Sequence, residues 1–178
     1  SITLINNQLI EFLERHLHVE ICKNVSSVST FEENFIQRGI NKDLDNLIDQ
    51  QSKNQELFQY IHTLLNDVVK EEDKKTDKQI EYVKVHQTEK SGVSLQITKK
   101  RGLLLKSYIE KNKTKQIDGL NGTKWGDVSL STASGNADEI NFTFLSRIIR
   151  ELFYQKETMN KLIYKAYLDI LETFENEH

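Results

Sequence analysis

The hydrophobic period of this chain changes at Tyr82-Val83-Lys84-Val85-His86-Gln87-Thr88-Glu89-Lys90-Ser91-Gly92-Val93-Ser94-Leu95-Gln96-Ile97-Thr98. Val83 and Val85, then Val93, Leu95 and Ile97, alternate with Lys84, His86, Ser94, Gln96 and Thr98. A period of two puts the apolar residues on one face of a strand and the polar ones on the other. The run Thr88 to Gly92 between them ends in glycine and reads as a hairpin turn. Two strands are therefore expected, at about residues 80–87 and 93–98.

On both sides of this stretch the period is helical. Upstream, Asn41 is a good helix N-cap, and Leu44, Leu47, Ile48, Phe58, Ile61, Leu65, Val68 and Val69 follow it close to a heptad seam. Gln51, Gln55 and His62 interrupt that seam. This helix is expected to run to about residue 75, with its charged end, Lys70 to Lys78, projecting into solvent. Downstream, Leu145, Ile148, Ile149, Leu152, Met159, Leu162, Ile163, Ala166, Ile170 and Phe174 keep one stripe, which predicts a helix over about 138–176, capped by Asn136 with Glu139. A helix this long with a single stripe needs a partner of similar length, and the upstream helix is the candidate. At the N-terminus Ile2, Ile5, Leu9, Leu13, Leu17 and Ile21 predict a helix over 2–23. Thr30-Phe31-Glu32-Glu33 has the form of a capping box. Residues 99–113 can form a helix or a third strand, and a helix through Leu103 to Ile109 is preferred. Residues 113–130 leave room for one or two further strands, for instance Lys115 to Ile117 and Trp125 to Leu130. Ser131 to Asn136 reads as a loop.

The expected fold is thus α+β. A long antiparallel helical arm carries a small β-sheet at its tip, and the N-terminal helix packs near the base. The segments are 1–40, N-terminal helix and connector; 41–78, first arm helix; 79–133, β element; and 134–178, second arm helix. Hydrophobic residues make up 37% and charged residues 29%, which suits a polar, elongated body with a thin core.

Charge is distributed unevenly. From Lys84 to Lys115 there are nine basic and two acidic residues, a balance of +7, whereas the rest of the chain carries fifteen basic and twenty-five acidic residues. A basic tip on an acidic arm suits a polyanion met at one place. No apolar run approaches the roughly 20 residues of a membrane span, so no membrane partner is expected. The single cysteine, Cys22, excludes an internal disulfide framework and points to an intracellular setting of unspecified compartment. With no initial methionine and a helical pattern still running at Phe174, the chain is expected to be a piece of a longer protein.

Phe35-Ile36-Gln37-Arg38-Gly39-Ile40-Asn41-Lys42-Asp43-Leu44-Asp45 resembles the F…G-x-x-x-x-L-D stretch that opens the lever helix of MutS-family mismatch-repair proteins. Ile80-Glu81-Tyr82-Val83-Lys84-Val85 is similar to that family's L-K-V strand, and Gly92-Val93-Ser94-Leu95-Gln96-Ile97-Thr98-Lys99-Lys100-Arg101 to its G-Y-Y-x-x-I-T-K strand. The family's paired aromatics are Val93 and Ser94 here, and residues 102–137 align with nothing in it, as in a divergent branch. The resemblance implies lever helices flanking a β clamp. It also implies a role: the parent protein, a homodimer or heterodimer, encircles double-stranded DNA, and the clamps touch the sugar-phosphate backbone. Mismatch reading and ATP hydrolysis, with ATP and Mg, belong to other domains of such a parent.

The first candidates for phosphate contacts are Lys99, Lys100, Arg101 and Lys106, followed by Lys90, Lys111, Lys113 and Lys115. Such contacts fix position and read no sequence. The chain itself is expected to be non-catalytic and to hold no cofactor or metal. Gly119-Leu120-Asn121-Gly122-Thr123-Lys124 lacks the glycine-lysine-hydroxyl ending of a phosphate loop. His18 and Cys22 fall short of the three or four ligands zinc needs. His16, His62 and His86 stand alone, and Glu71-Glu72-Asp73 lies among lysines as a solvated face. Trp125 is expected to anchor the core of the β element rather than to stack on a base. The competing reading is a coiled-coil interaction or scaffold module with an incidental basic tip.

Overall fold

The computed structural model describes residues 1–23, 25, 33–74 and 80–177. Among these residues the chain is α+β. The elements in order are α1 (Ile2–His16), α2 (Val19–Cys22), α3 (Lys42–Asp73), β1 (Val83–Thr88), β2 (Gly92–Thr98), α4 (Lys99–Lys111), a 3-10 turn (Trp125–Asp127), β3 (Ser129–Ser134), β4 (Ala137–Asn141) and α5 (Thr143–Glu177). None of the described helices is long and apolar enough to cross a membrane. The chain divides into two compact units, Ser1–Ser52 with Tyr154–His178, and Lys53–Phe153.

In the second unit, the alternation around Val83 and Leu95 builds an antiparallel sheet of order β1-β2-β4-β3. Register sets Val83 opposite Ile97, Leu95 opposite Ile140, and Ile140 opposite Leu130, so one face carries apolar side chains from all four strands, with Asp138 and Thr132 completing the row that begins at Val83 and Ile97. Lys84, Gln96, Glu139 and Ser131 form a polar row across the other face. Phe58, Ile61, Leu65 and Val69 of α3, Leu105 and Ile109 of α4, and Leu145 and Ile148 of α5 share one core with the apolar face. Truncating a residue as buried as Leu145 to Ala typically costs about 2–5 kcal/mol. At Gly102 the α4 backbone comes close to the sheet: a Cβ there would sit 3.2 Å from Leu130 Cδ2 and 3.6 Å from Ile97 Cγ2. Trp125 is buried and meets Tyr108 edge-on at 4.8 Å, so it anchors the core.

Polar interruptions of the α3 seam tie this unit together. His62 Nε2 donates to the Val83 carbonyl at 2.6 Å. Asn66 Oδ1 accepts from the backbone N–H of Tyr82 at 2.7 Å and of Val83 at 3.2 Å. The Tyr82 hydroxyl donates to Asp73 at 2.7 Å. Buried Asn54 donates to Glu151 of α5 at 2.9 Å.

In the first unit, Leu44 of α3 shares a core with Phe12, Leu17, Phe35 and Ile36, and with Met159, Ile163, Ala166 and Ile170 of α5. The residues entering α3 have clear physical reasons. Phe35 and Ile36 are buried. Gly39 has φ 92°, a left-handed conformation that glycine adopts freely, and its N–H donates to Asp45 at 2.9 Å. Asn41 caps α3 through the Leu44 N–H at 2.9 Å, as its residue type predicts. Arg38 makes a two-pronged ion pair with Asp49, at 2.9 and 2.7 Å, which raises the guanidinium pKa above its usual value.

The seams expected to pair do share cores. Leu44 and Ile48 pack with Met159, Ile163 and Ile170 in one unit; Phe58 and Leu65 pack with Leu145, Ile149 and Leu152 in the other.

Several element bounds differ from expectation. The helix expected from about 138 begins at Thr143, because residues 137–141 form β4, held by β2 on one side and β3 on the other. Asn141, not Asn136, sits at the start of α5: its Oδ1 accepts from the Phe142 N–H at 2.9 Å and the Ser146 hydroxyl at 2.7 Å. The expected 131–136 loop is strand as far as Ser134, with a turn at Gly135. Helix α3 stops at Asp73, where Lys74 turns left-handed at φ 47°. The expected 2–23 helix breaks at Leu17, which bridges to Ile36 while the His18 N–H donates to the Phe35 carbonyl at 2.6 Å. Ile2 and Ile5 of the expected stripe are exposed, and Phe12 is the buried anchor of α1. Most of the 30–33 capping box and Lys75 to Lys78 lie outside the described residues.

Candidate nucleic-acid interface

Thr98 ends β2 and caps α4, its hydroxyl accepting from the Arg101 N–H at 3.3 Å. Lys99, Lys100 and Arg101 thus fill the first turn of α4, which has no acidic residue. Cations at a helix N-terminus oppose the helix dipole, by roughly 0.3–1 kcal/mol each where exposed. Local rules broken in this way concentrate at functional sites. The buried face of α4 is Gly102, Leu105 and Ile109. That leaves Lys99, Leu103 and Lys106 in a row on the outer side, with Lys100 beside it, and all four are exposed. The rise from Lys99 to Lys106 is about 10 Å.

The eight candidate cations fall into distinct settings. Lys99, Lys100 and Lys106 make no ion pair among the described residues. Arg101 is half-buried, its guanidinium 4.9 Å from the centre of the Tyr82 ring, so it braces α4 against the start of β1. Lys111 pairs with Glu72 of α3 at 3.5 Å, and Lys113 with Glu110 at 2.9 Å. Lys115 is exposed beyond α4. Lys90 is exposed in the β1–β2 turn, at the opposite end of β2 from Lys99 and therefore roughly 20 Å away. The structure groups Lys99, Lys100 and Lys106, and it separates Lys90 from them.

The β3–β4 hairpin is not apparent from the hydrophobic pattern. The Lys99 N–H donates to the Asn136 carbonyl at 2.7 Å, and Lys99 Nζ lies 3.5 Å from Thr132 Oγ1. The hydroxyl-rich run Ser129-Leu130-Ser131-Thr132-Ala133-Ser134 was the available signal. From the sequence, Trp125 to Leu130 is expected as a strand and Ser131 to Asn136 as a loop, because only Leu130 marks an apolar face; the strand instead spans Ser129–Ser134, after a 3-10 turn at Trp125–Asp127.

Other chemistry-bearing groups have structural surroundings. Cys22 is half-buried, and burial raises its thiol pKa. His16 stacks on Phe12 at 4.2 Å and hydrogen-bonds the Phe12 carbonyl at 2.7 Å. Among the described residues no group of three or more His, Cys, Asp or Glu could hold a metal ion. In comparisons with known proteins, no family model and no curated protein matches this chain.

Proposed function

We propose that this chain is a non-catalytic module that holds double-stranded DNA by its backbone, as the lever and clamp region of a MutS-type mismatch-repair ATPase does. On this reading α3 and α5 serve as the lever helices of an antiparallel arm and the sheet with α4 as the clamp. ATP, Mg and mismatch reading belong to the rest of an intracellular, dimeric parent. The observation that carries the reading is the outer side of α4, where Lys99, Lys100 and Lys106 stand exposed without carboxylate partners among the described residues. In a chain with 27 acidic residues, unpaired cations on one helix side favour a polyanion. Ammonium groups meeting phosphates release counterions and read no bases.

The test is duplex binding by the parent protein across a salt series. Reversing Lys99 and Lys100 to Glu weakens matched and mismatched duplexes alike and flattens the slope of log affinity against log salt by about two units. ATPase activity without DNA stays unchanged. Loss of mismatch discrimination at intact affinity would mean that these residues read the lesion, and the clamp assignment would fall. The isolated chain binds duplex weakly, with Kd of roughly 10⁻⁴ M or poorer at physiological salt.

A second reading, a protein-interaction scaffold, draws on the exposed Tyr164, Leu168 and Leu171, which recur along one side of α5 at helical spacing. Unchanged duplex binding in the Lys99/Lys100 double variant favours it.

A further inference from the structure

The segment from Ser129 to Asn136 contains no acidic residue, although the chain as a whole has 27. Apart from half-buried Leu130, every residue of this segment is exposed. β3 is one of the two edge strands of the sheet, and its pairing with β4 is irregular between Thr132 and Ser134. Irregularities of this kind at a sheet edge bend the strand and re-aim its side chains. At the turn, Gly135 has φ 50° with nothing within 4 Å of a would-be Cβ, so a ligand can approach the backbone there. The hairpin adjoins the first turn of α4 through the bond from the Lys99 N–H to the Asn136 carbonyl, at 2.7 Å. Asp138, which faces Thr132 in register, is buried, and its Oδ2 lies 3.6 Å from the position of a Gly102 Cβ, beneath α4. Its carboxylate is therefore not presented to a ligand at the hairpin.

We propose that Thr132, Ser134 and Asn136 form a second, uncharged half of the duplex-DNA contact surface, donating hydrogen bonds to phosphate oxygens beside those met by Lys99 and Lys100. This rests on the DNA-backbone reading above. The Thr132 hydroxyl accepts from Lys99 Nζ at 3.5 Å, which leaves its own hydrogen to donate outward. Ser134 and Asn136 add a hydroxyl and an amide, donor types that are common partners of phosphate oxygens. These groups carry no charge and release no counterions, so their contribution is independent of salt, whereas that of the lysines is not.

The experiment uses the 178-residue chain and a fluorescent 30-base-pair duplex titrated by anisotropy over a salt series starting at low ionic strength. Thr132→Val/Ser134→Ala/Asn136→Ala lowers affinity by at least about tenfold, the least that one lost hydrogen bond to a charged group would cause, with the salt slope unchanged. Thr132→Ser, which keeps the hydroxyl, binds like the unaltered chain, while Thr132→Val alone does not. Far-UV circular dichroism and the thermal midpoint of each variant establish that the sheet is intact. Lys99→Gln/Lys100→Gln, run in parallel, flattens the slope by about 1.8. Binding by the triple variant within twofold of the unaltered chain overturns the hairpin proposal and leaves the lysine reading standing. A slope change in the triple variant as large as in the lysine variant also overturns it, because the hairpin would then be acting through the lysines. A lysine variant with an unchanged slope removes the DNA-backbone reading, and the hairpin proposal with it.

Discussion

The two ends of α4 are about equally rich in lysine and differ in what they can offer a ligand. At the start, Lys99 and Lys100 stand without carboxylate partners among the described residues, and Lys106 follows on the same side. At the far end, Lys111 is engaged by Glu72 and Lys113 by Glu110. Composition counts these cations alike, and the fold does not. A cation already beside a carboxylate has a neighbour that opposes any arriving phosphate. The charge available to a polyanion is therefore smaller than the +7 of the segment, and it lies toward the start of α4. Arg101 belongs to neither end in this sense, because Tyr82 already holds its guanidinium.

The difference between the two ends depends on α4 being seated on the sheet, so the largest effect comes from unseating it. Leu105 is fully buried in the core of the second unit. Leu105→Asp places a carboxylate there without a partner, a change expected to cost upward of about 3 kcal/mol. Denaturant unfolding followed by circular dichroism should show a much lower midpoint, with duplex binding lost. A native-like midpoint would mean that α4 is dispensable to the fold and that its two ends are not held in this arrangement.

Lys99→Gln/Lys106→Gln should flatten the salt slope of duplex binding by about 1.8, whereas Lys111→Gln/Lys113→Gln should leave it nearly unchanged. Equal slopes in the two double variants would erase the distinction between the ends. A smaller effect is expected at Arg101. Arg101→Gln removes the contact over Tyr82 and should lower unfolding free energy by about 0.5–2 kcal/mol, with little change in salt slope. A slope change of nearly one unit with unaltered stability would make Arg101 a phosphate contact after all.

The smallest effect is expected at Glu72. Glu72→Gln frees Lys111, so the far end should come to resemble the start. Stability should shift by no more than about 1 kcal/mol, since the lysine is largely exposed. The salt slope should steepen by up to about 0.9 if the freed cation reaches a phosphate. A slope that stays put while the lysine contrast holds would place Lys111 out of reach of the DNA.

Elements with a local cause are legible in the chain alone. The alternation from Val83 to Ile97 specifies β1 and β2, because a one-residue slip would turn every apolar side chain to solvent. Asn41 caps α3 because its side chain needs only an N–H three residues on. The stripe from Leu145 to Ile170 makes α5 a long helix with a buried side, and the tryptophan in a small β element finds the core. Features that depend on partners distant in sequence emerge only on folding. Asn136 and Glu139 carry a helix-capping pattern, yet residues 137–141 form β4 because β2 and β3 flank them on both sides and satisfy their backbone groups. His62 looks like a flaw in a seam until Val83, twenty-one residues away, accepts from it. Which lysines have partners was decided in the same way. Glu72 and Lys111 sit on different helices, and a Coulomb interaction depends on distance in space, which chain order does not reveal.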